Sequence, residues 1–204
     1  NFVNILIDNF LGWSTLSIIL IFILFWSRKY PKIKNILLIA FFVRSLLVLG
    51  EQYGIFKLPD GNLMLSDANR FELLAREMSR SQGLSVIKNF LIPDSFLLAR
   101  VLSIFYTLFG ESVMMAKGIG VGFGTGAVLL VYKFSTRLWS QKVGVKSAWM
   151  TALFPTLVLY SAITLREVYV VFFLIVCLIG IDNYIKKKTI LSLVQTFLSF
   201  YILT

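Results

Sequence analysis

The chain has 204 residues, of which 58% are hydrophobic and only 15% charged, and its mean hydropathy is +0.84. Soluble domains carry about a quarter charged residues. Here the charges cluster and leave apolar stretches of 17 to 20 residues, each long enough for a bilayer core of roughly 30 Å, which excludes a soluble globular domain, a disordered tail and a disulfide scaffold. The formal net charge is +10, but the excess flanks the apolar runs, as orientation in a membrane requires, so no nucleic-acid partner is expected. Histidine is absent. That removes His-based triads, HExxH zinc sites and histidine proton shuttles, and leaves acid–base chemistry to carboxylates, lysine or tyrosine. The single cysteine, Cys177, sits in an apolar run and reads as a small buried hydrophobe.

Phe10–Trp26 is the first spanning candidate. It has no charged n-region before it and no small-residue cleavage site after it, so it is not read as a signal peptide. The basic turn Arg28, Lys29, Lys32, Lys34 follows, then the apolar stretch Ile33–Leu49, interrupted by Arg44. A long mixed segment, about 50–112, contains the apolar run Ser95–Phe109. Val113–Tyr132 spans and exits into Lys133, Arg137, Lys142 and Lys146. Ser147–Leu165 and Val168–Ile185 span on either side of Arg166-Glu167, and Lys186-Lys187-Lys188 precedes a last run from Ile190. Starting at Asn1 and ending in an apolar run, the chain reads as part of a longer protein.

Charge balance decides the topology. If Ser95–Phe109 crossed the membrane, the Arg28–Lys34 turn and the Lys133–Lys146 loop would fall on opposite sides, against the positive-inside rule. As a helix of 15 residues it would reach only about 22 Å, and it carries Arg100 near its middle, so it is predicted to lie in the interface. The expected fold is an all-α polytopic helix bundle of five spans plus a truncated sixth, with amphipathic interfacial helices in the outer loop 50–112. Residues 1–32 form an extra span and basic turn ahead of the module 33–204. Glu51, Asp60, Asp67, Glu72, Glu77, Asp94, Glu111 and Glu167 then fall outside with Asp8, and Asp182 near an inner end.

In the outer segment, Pro59-Asp60-Gly61-Asn62 signals a turn. Ser66 or Asp67 is then predicted to cap a helix running to Gln82, before Gly83. Ala68, Phe71, Leu74, Ala75 and Met78 form its apolar face, with Glu72 and Arg76 paired at i,i+4 on the other side. Asp67 reads either as a helix cap or as a fixed, ionised carboxylate able to act as a general base or to hold a cation. Glu167 reads either as a partner for Arg166 or as a functional acid at membrane depth. Arg44 and Lys117 either snorkel to the surface or gather with Arg100 at a site for a lipid phosphate. Gly118, Gly120, Gly122, Gly124 and Gly126 lack the Gly-Lys-Ser/Thr ending of a phosphate loop. Their overlapping GxxxG steps predict close helix packing. Pro155 is predicted to kink its span.

Ser66–Met78 (SDANRFELLAREM) resembles the first outer loop of the GT-C fold glycosyltransferases, the group of the lipid A aminoarabinose transferases and protein O-mannosyltransferases. Leu102–Gly110 (LSIFYTLFG) resembles the family's interfacial helix ending in Phe-Gly. Met115-Ala-Lys117 is similar to the Ala-Arg that opens its next span, Leu129–Leu138 (LLVYKFSTRL) to its cytoplasmic exit, and Phe154-Pro155 through Tyr160-Ser161 to Glu167 to its following span and acid. The likeness covers roughly 33–184 and rests on the order of these motifs. It implies the same non-spanning helix. It also implies a donor sugar on a polyprenyl phosphate, and a glycan, lipid or protein acceptor. Asp67 would be the catalytic base, Glu167 a second catalytic acid, and Lys117, with Arg100 and Arg44, would bind the donor phosphate. No cofactor or resident metal is expected, and a divalent cation stays open. The site would face the extracytoplasmic side of the cytoplasmic membrane, among membrane lipid. The chain differs from the pattern in its extra first span and in Glu, after Arg, at 167. The rival readings are a surface-polysaccharide repeat-unit polymerase or ligase, and a non-enzymatic transporter or membrane subunit. Transporters place their charges at the midplane between broken helices, whereas these charges are expected at the outer edge.

Overall fold

The computed structural model describes residues 2–55, 63–89 and 96–203. The chain order is α1 (Phe2–Lys29), α2 (Lys34–Gln52), α3 (Leu63–Gln82), α4 (Leu97–Phe109), α5 (Val113–Leu138), α6 (Gln141–Leu153), α7 (Pro155–Ala162), α8 (Arg166–Lys187) and α9 (Ile190–Leu203), with no strand among the described residues. Among the described residues four helices are long and apolar enough to cross a membrane: Ile5–Lys29, Pro31–Gln52, Val113–Leu138 and Arg166–Lys186. The number becomes five if α6 and α7, which meet at 54°, form one bent span. This architecture is consistent with a multi-pass membrane protein. Helices α4 and α9 are apolar but shorter.

Hydrogen bonds fix which helix ends lie together. The Asp8 carboxylate, near the start of α1, accepts from Gln52 Nε2 at 2.9 Å and from Ser112 Oγ at 2.6 Å. The segment between α2 and α5 therefore leaves and returns at one end of the bundle. At the opposite end Lys32 donates to Gln141 Oε1, the Lys133 ammonium lies 5.7 Å from the Trp26 ring, and Arg137 pairs with Asp182 at 2.7 Å. Lys186 pairs with the same Asp182 at 2.9 Å. The three acid-poor basic clusters thus share this end.

Helix α5 is the hub, packed against α1, α2, α6, α7 and α8. Its glycines permit this on separate faces. A Cβ on Gly118 or Gly122 would press on Thr15 or Ile19 of α1 at 3.1 Å, and one on Gly120 would come within 2.8 Å of the Ser161 carbonyl oxygen of α7. Helix α3 ends at Gln82, where Gly83 takes the left-handed backbone with φ of 53°. Its described part runs from Leu63, so Asp67 lies at least a turn inside the helix and does not cap it. The turn expected at 59–62 lies outside the described residues. Ala75 of α3 packs on Leu98, Ala99, Leu102 and Tyr106 of α4, and these on Met115 and Ala116 of α5.

Candidate functional site

The first turns of α3 rest on the α7–α8 connection. Ala68 is buried against Ile163 and Leu165, with Tyr160 packed alongside. This brings the stretch carrying Asp67 and the stretch carrying Glu167 to the same, acidic end of the bundle. Asp67 is exposed. Glu167 occupies the first turn of α8, where free backbone N–H groups favour a negative charge. Its Oε1 lies 3.9 Å from Arg166 Nε, and its side chain is 44% exposed. Its Oε2 is nonetheless buried and has no hydrogen-bond partner among the described residues. Thr164 Oγ1 and the Tyr169 hydroxyl share that condition. Three orphaned polar atoms within six residues are unusual, since nearly all buried polar groups in proteins are paired.

Sequence reasoning missed a second group of polar residues at this end. Glu72 was expected on the solvated side of α3, but its side chain is only 12% exposed and bonds Arg76. The spacing held the signal: Glu72 follows Ala68 by four residues and precedes Ala75 by three, so it flanks the buried stripe. Burial pushes the Glu72 carboxyl above its ordinary value, against the pull of Arg76 and of Lys117, and Asp8 adds to the rise. The Tyr106 hydroxyl and Arg76 Nε are buried without partners among the described residues. Burial, with Glu72 nearby, pushes the Tyr106 phenol well above its ordinary value. Asp8 also accepts from the Met114 backbone N–H at 3.2 Å, and Ser112 Oγ accepts from Met115 N–H at 3.0 Å. Together they cap α5. At the far end of α3, Arg80 grips Glu111 through two bonds of 2.6 and 2.7 Å, which hold the Glu111 carboxyl below its usual range.

The three cations expected around a phosphate lie on three helices, Arg44 on α2, Arg100 on α4 and Lys117 on α5. Lys117 pairs with Glu51 Oε2 at 2.9 Å. Arg100, on α4, is buried. Arg44 is fully buried and does not snorkel. Its NH1 donates to the carbonyls of Ala40 at 3.0 Å and Ala152 at 2.9 Å. NH2 donates to the Thr151 carbonyl at 3.3 Å, and Nε to Ser161 Oγ at 3.2 Å. Pro155 has no N–H to give the Thr151 carbonyl four residues back, and Arg44 supplies the missing donor at the break. Gly124 makes room, because a Cβ there would strike Ser161 Oγ and come within 3.0 Å of Arg44 Nε. With no exposed surface, Arg44 has no face to offer a lipid phosphate, so its place is in the helix break.

An apolar groove of about 580 Å³ runs beside α5. Phe10, Leu11 and Ile18 of α1, Phe105 and Phe109 of α4, and Phe172 of α8 line it. It starts from the acidic end, where α4 lies, and passes along the bundle toward Gly122. Among the described residues no three His, Cys, Asp or Glu side chains gather as a metal ion would require. The chain matches no family model, no curated protein and no solved structure.

Proposed function

We propose that the protein is an integral membrane glycosyltransferase that moves a sugar from a polyprenyl-phosphate donor to an acceptor at the acidic end of the bundle, facing away from the cytoplasm. The observation that carries this reading is the packing of Ala68 on Ile163 and Leu165. Asp67 and Glu167 belong to distant parts of the sequence, and that contact supports the reading by joining the stretch that carries one to the stretch that carries the other. Asp67, exposed to water, would take the proton of the acceptor hydroxyl as its oxygen attacks the sugar carbon. The bond to the lipid phosphate breaks in the same step, and the phosphate leaves with the electron pair. Glu167, whose Oε2 lacks a partner, would hold the acceptor. Lys117 would stabilise the charge on the departing phosphate by exchanging part of its contact with Glu51. The 580 Å³ apolar groove offers the donor's polyprenyl chain a place beside α4, within the range of lipid-sized pockets. The positive-inside rule puts the basic end in the cytoplasm and so gives the acidic end its orientation.

The break between α6 and α7 favours a transporter on first sight, since carriers bind substrate at discontinuous helices. Here the break is filled: all three guanidinium nitrogens of Arg44 bond protein oxygens and none is exposed. That leaves no guanidinium donor of Arg44 free for a substrate at the break and returns the weight to the acidic end. The test is incubation of membranes holding the full protein with radiolabelled polyprenyl-phosphate sugars. Label passing to an endogenous acceptor, absent from membranes lacking the protein, supports the reading. Uptake of free sugar into vesicles without transfer overturns it.

A further inference from the structure

A second groove adjoins the first at Ile19 and Gly122 and runs from there toward the basic end. It is about 230 Å³ in volume and lies between α1, α2 and α5. Ile19, Phe22 and Ile23 form one wall, Leu37 and Leu129 another, and Trp26 closes the end nearest the basic clusters. Gly122 and Gly126 line the groove as well, and a Cβ on Gly122 would press on Ile19 of its wall at 3.1 Å.

Above Trp26 the charges are arranged in an unusual way. The ammonium groups of Lys29 and Lys133 each lie 5.7 Å from the centre of the same indole ring, and Lys133 is also 5.9 Å from the Tyr30 ring. Trp26 and Tyr30 are stacked with centroids 6.1 Å apart. Both lysines are exposed, and neither is paired with a carboxylate among the described residues. Asp182, the described acid of this end, is engaged by Arg137 and Lys186. Cation–π attraction holds each exposed ammonium by only about 0.5–1 kcal/mol, so both stay available to an anion at the edge of the ring.

We infer that this groove binds an anionic phospholipid of the leaflet at the basic end, with an acyl chain along Ile19, Phe22 and Leu129 and the phosphate held between Lys29 and Lys133 over Trp26. The apolar floor selects a lipid over free phosphate. The paired ammoniums select an anionic headgroup over a zwitterionic one, since basic pockets between membrane helices attract such headgroups by about 1 kcal/mol per cation. Trp26 lies in the last turn of α1 beside Lys29, as indole rings do near the headgroups of a bilayer. This inference stands independently of the transfer reaction at the other end.

The experiment uses the full protein in nanodiscs, with the other tryptophans replaced (Trp13→Phe, Trp139→Phe, Trp149→Phe) so that Trp26 alone fluoresces. Brominated phosphatidylglycerol and brominated phosphatidylcholine are titrated in turn as quenchers. Half-maximal quenching is expected at a roughly 10-fold lower mole fraction of the anionic lipid, with the preference lost in Lys29→Gln/Lys133→Gln. A tryptophan set that folds poorly is bypassed by native mass spectrometry of the otherwise unaltered protein, which should retain phosphatidylglycerol that the double lysine variant releases. Equal quenching by the two lipids, a preference that survives loss of both lysines, or displacement of the lipid by millimolar inorganic phosphate overturns the inference.

Discussion

Arg44→Met tests whether the arginine braces the helix break. The substitution keeps an unbranched apolar stem and removes every donor. It strands the Thr151 and Ala152 carbonyls, which now accept at 3.3 and 2.9 Å. A buried acceptor left without a partner costs about 1–3 kcal/mol, so the pair predicts a loss of roughly 2–5 kcal/mol, reduced in part by relief of the desolvated charge. The mechanism makes a sharper demand. Thr151 lacks a donor because residue 155 is proline, and Pro155→Ala restores an N–H there. Arg44→Met should therefore cost less in the Pro155→Ala background, with a coupling of about 1 kcal/mol or more. Unfolding of all four proteins by dodecyl sulfate in mixed micelles, followed by tryptophan fluorescence, measures the cycle. A loss below about 0.5 kcal/mol for Arg44→Met, or strict additivity with Pro155→Ala, would refute the brace.

Two further substitutions probe the acidic end. Ser112→Ala removes the side chain that accepts from Met115 N–H and donates to Asp8. It should lower stability by about 1 kcal/mol and loosen the α4–α5 connection, read as faster proteolysis there. Glu72 has a folded-state pKa raised chiefly by burial. Its contribution is therefore fully present below the unfolded carboxylate value and is lost as pH rises through the higher folded value. Thermal unfolding of the detergent-solubilised protein should show stability rising as pH falls from neutral toward the ordinary carboxylate range, and Glu72→Gln should flatten that rise. An unchanged slope in the variant would mean that Glu72 is not the responsible group.

The features legible in the sequence are those governed by hydropathy and charge. The runs around Phe10–Trp26, Ile33–Leu49, Val113–Tyr132 and Val168–Ile185 correspond to helices long enough to span. The shared position of the basic clusters follows from one electrostatic rule. The glycine run of α5 was readable because small residues at helical spacing have few uses other than close approach. The tasks of individual polar side chains were not readable. Arg44 looks like a surface arginine until the carbonyls freed by Pro155, more than a hundred positions away, are brought beside it. Asp8 looks like a solvated terminal acid, yet it ties α1 to Gln52 and Ser112. Asp67 resembled a cap because capping residues and ordinary helix-surface acids are the same amino acids, and only the helical backbone running from Leu63 separates the two. Lys117 was expected to meet phosphate, and its partner Glu51 comes from another helix. Pairings of this kind depend on the bundle's tertiary arrangement, which periodicity does not encode.

In the proposed transfer Asp67 is the group that takes the acceptor's proton. The most direct measurement is the single-turnover transfer rate of Asp67→Asn in reconstituted vesicles, with donor binding measured in parallel. General-base catalysis predicts a fall of about 100- to 10,000-fold with donor affinity unchanged, because Asp67 is exposed and is not among the residues that line the apolar groove. A rate within a few-fold of the unaltered protein would contradict the account.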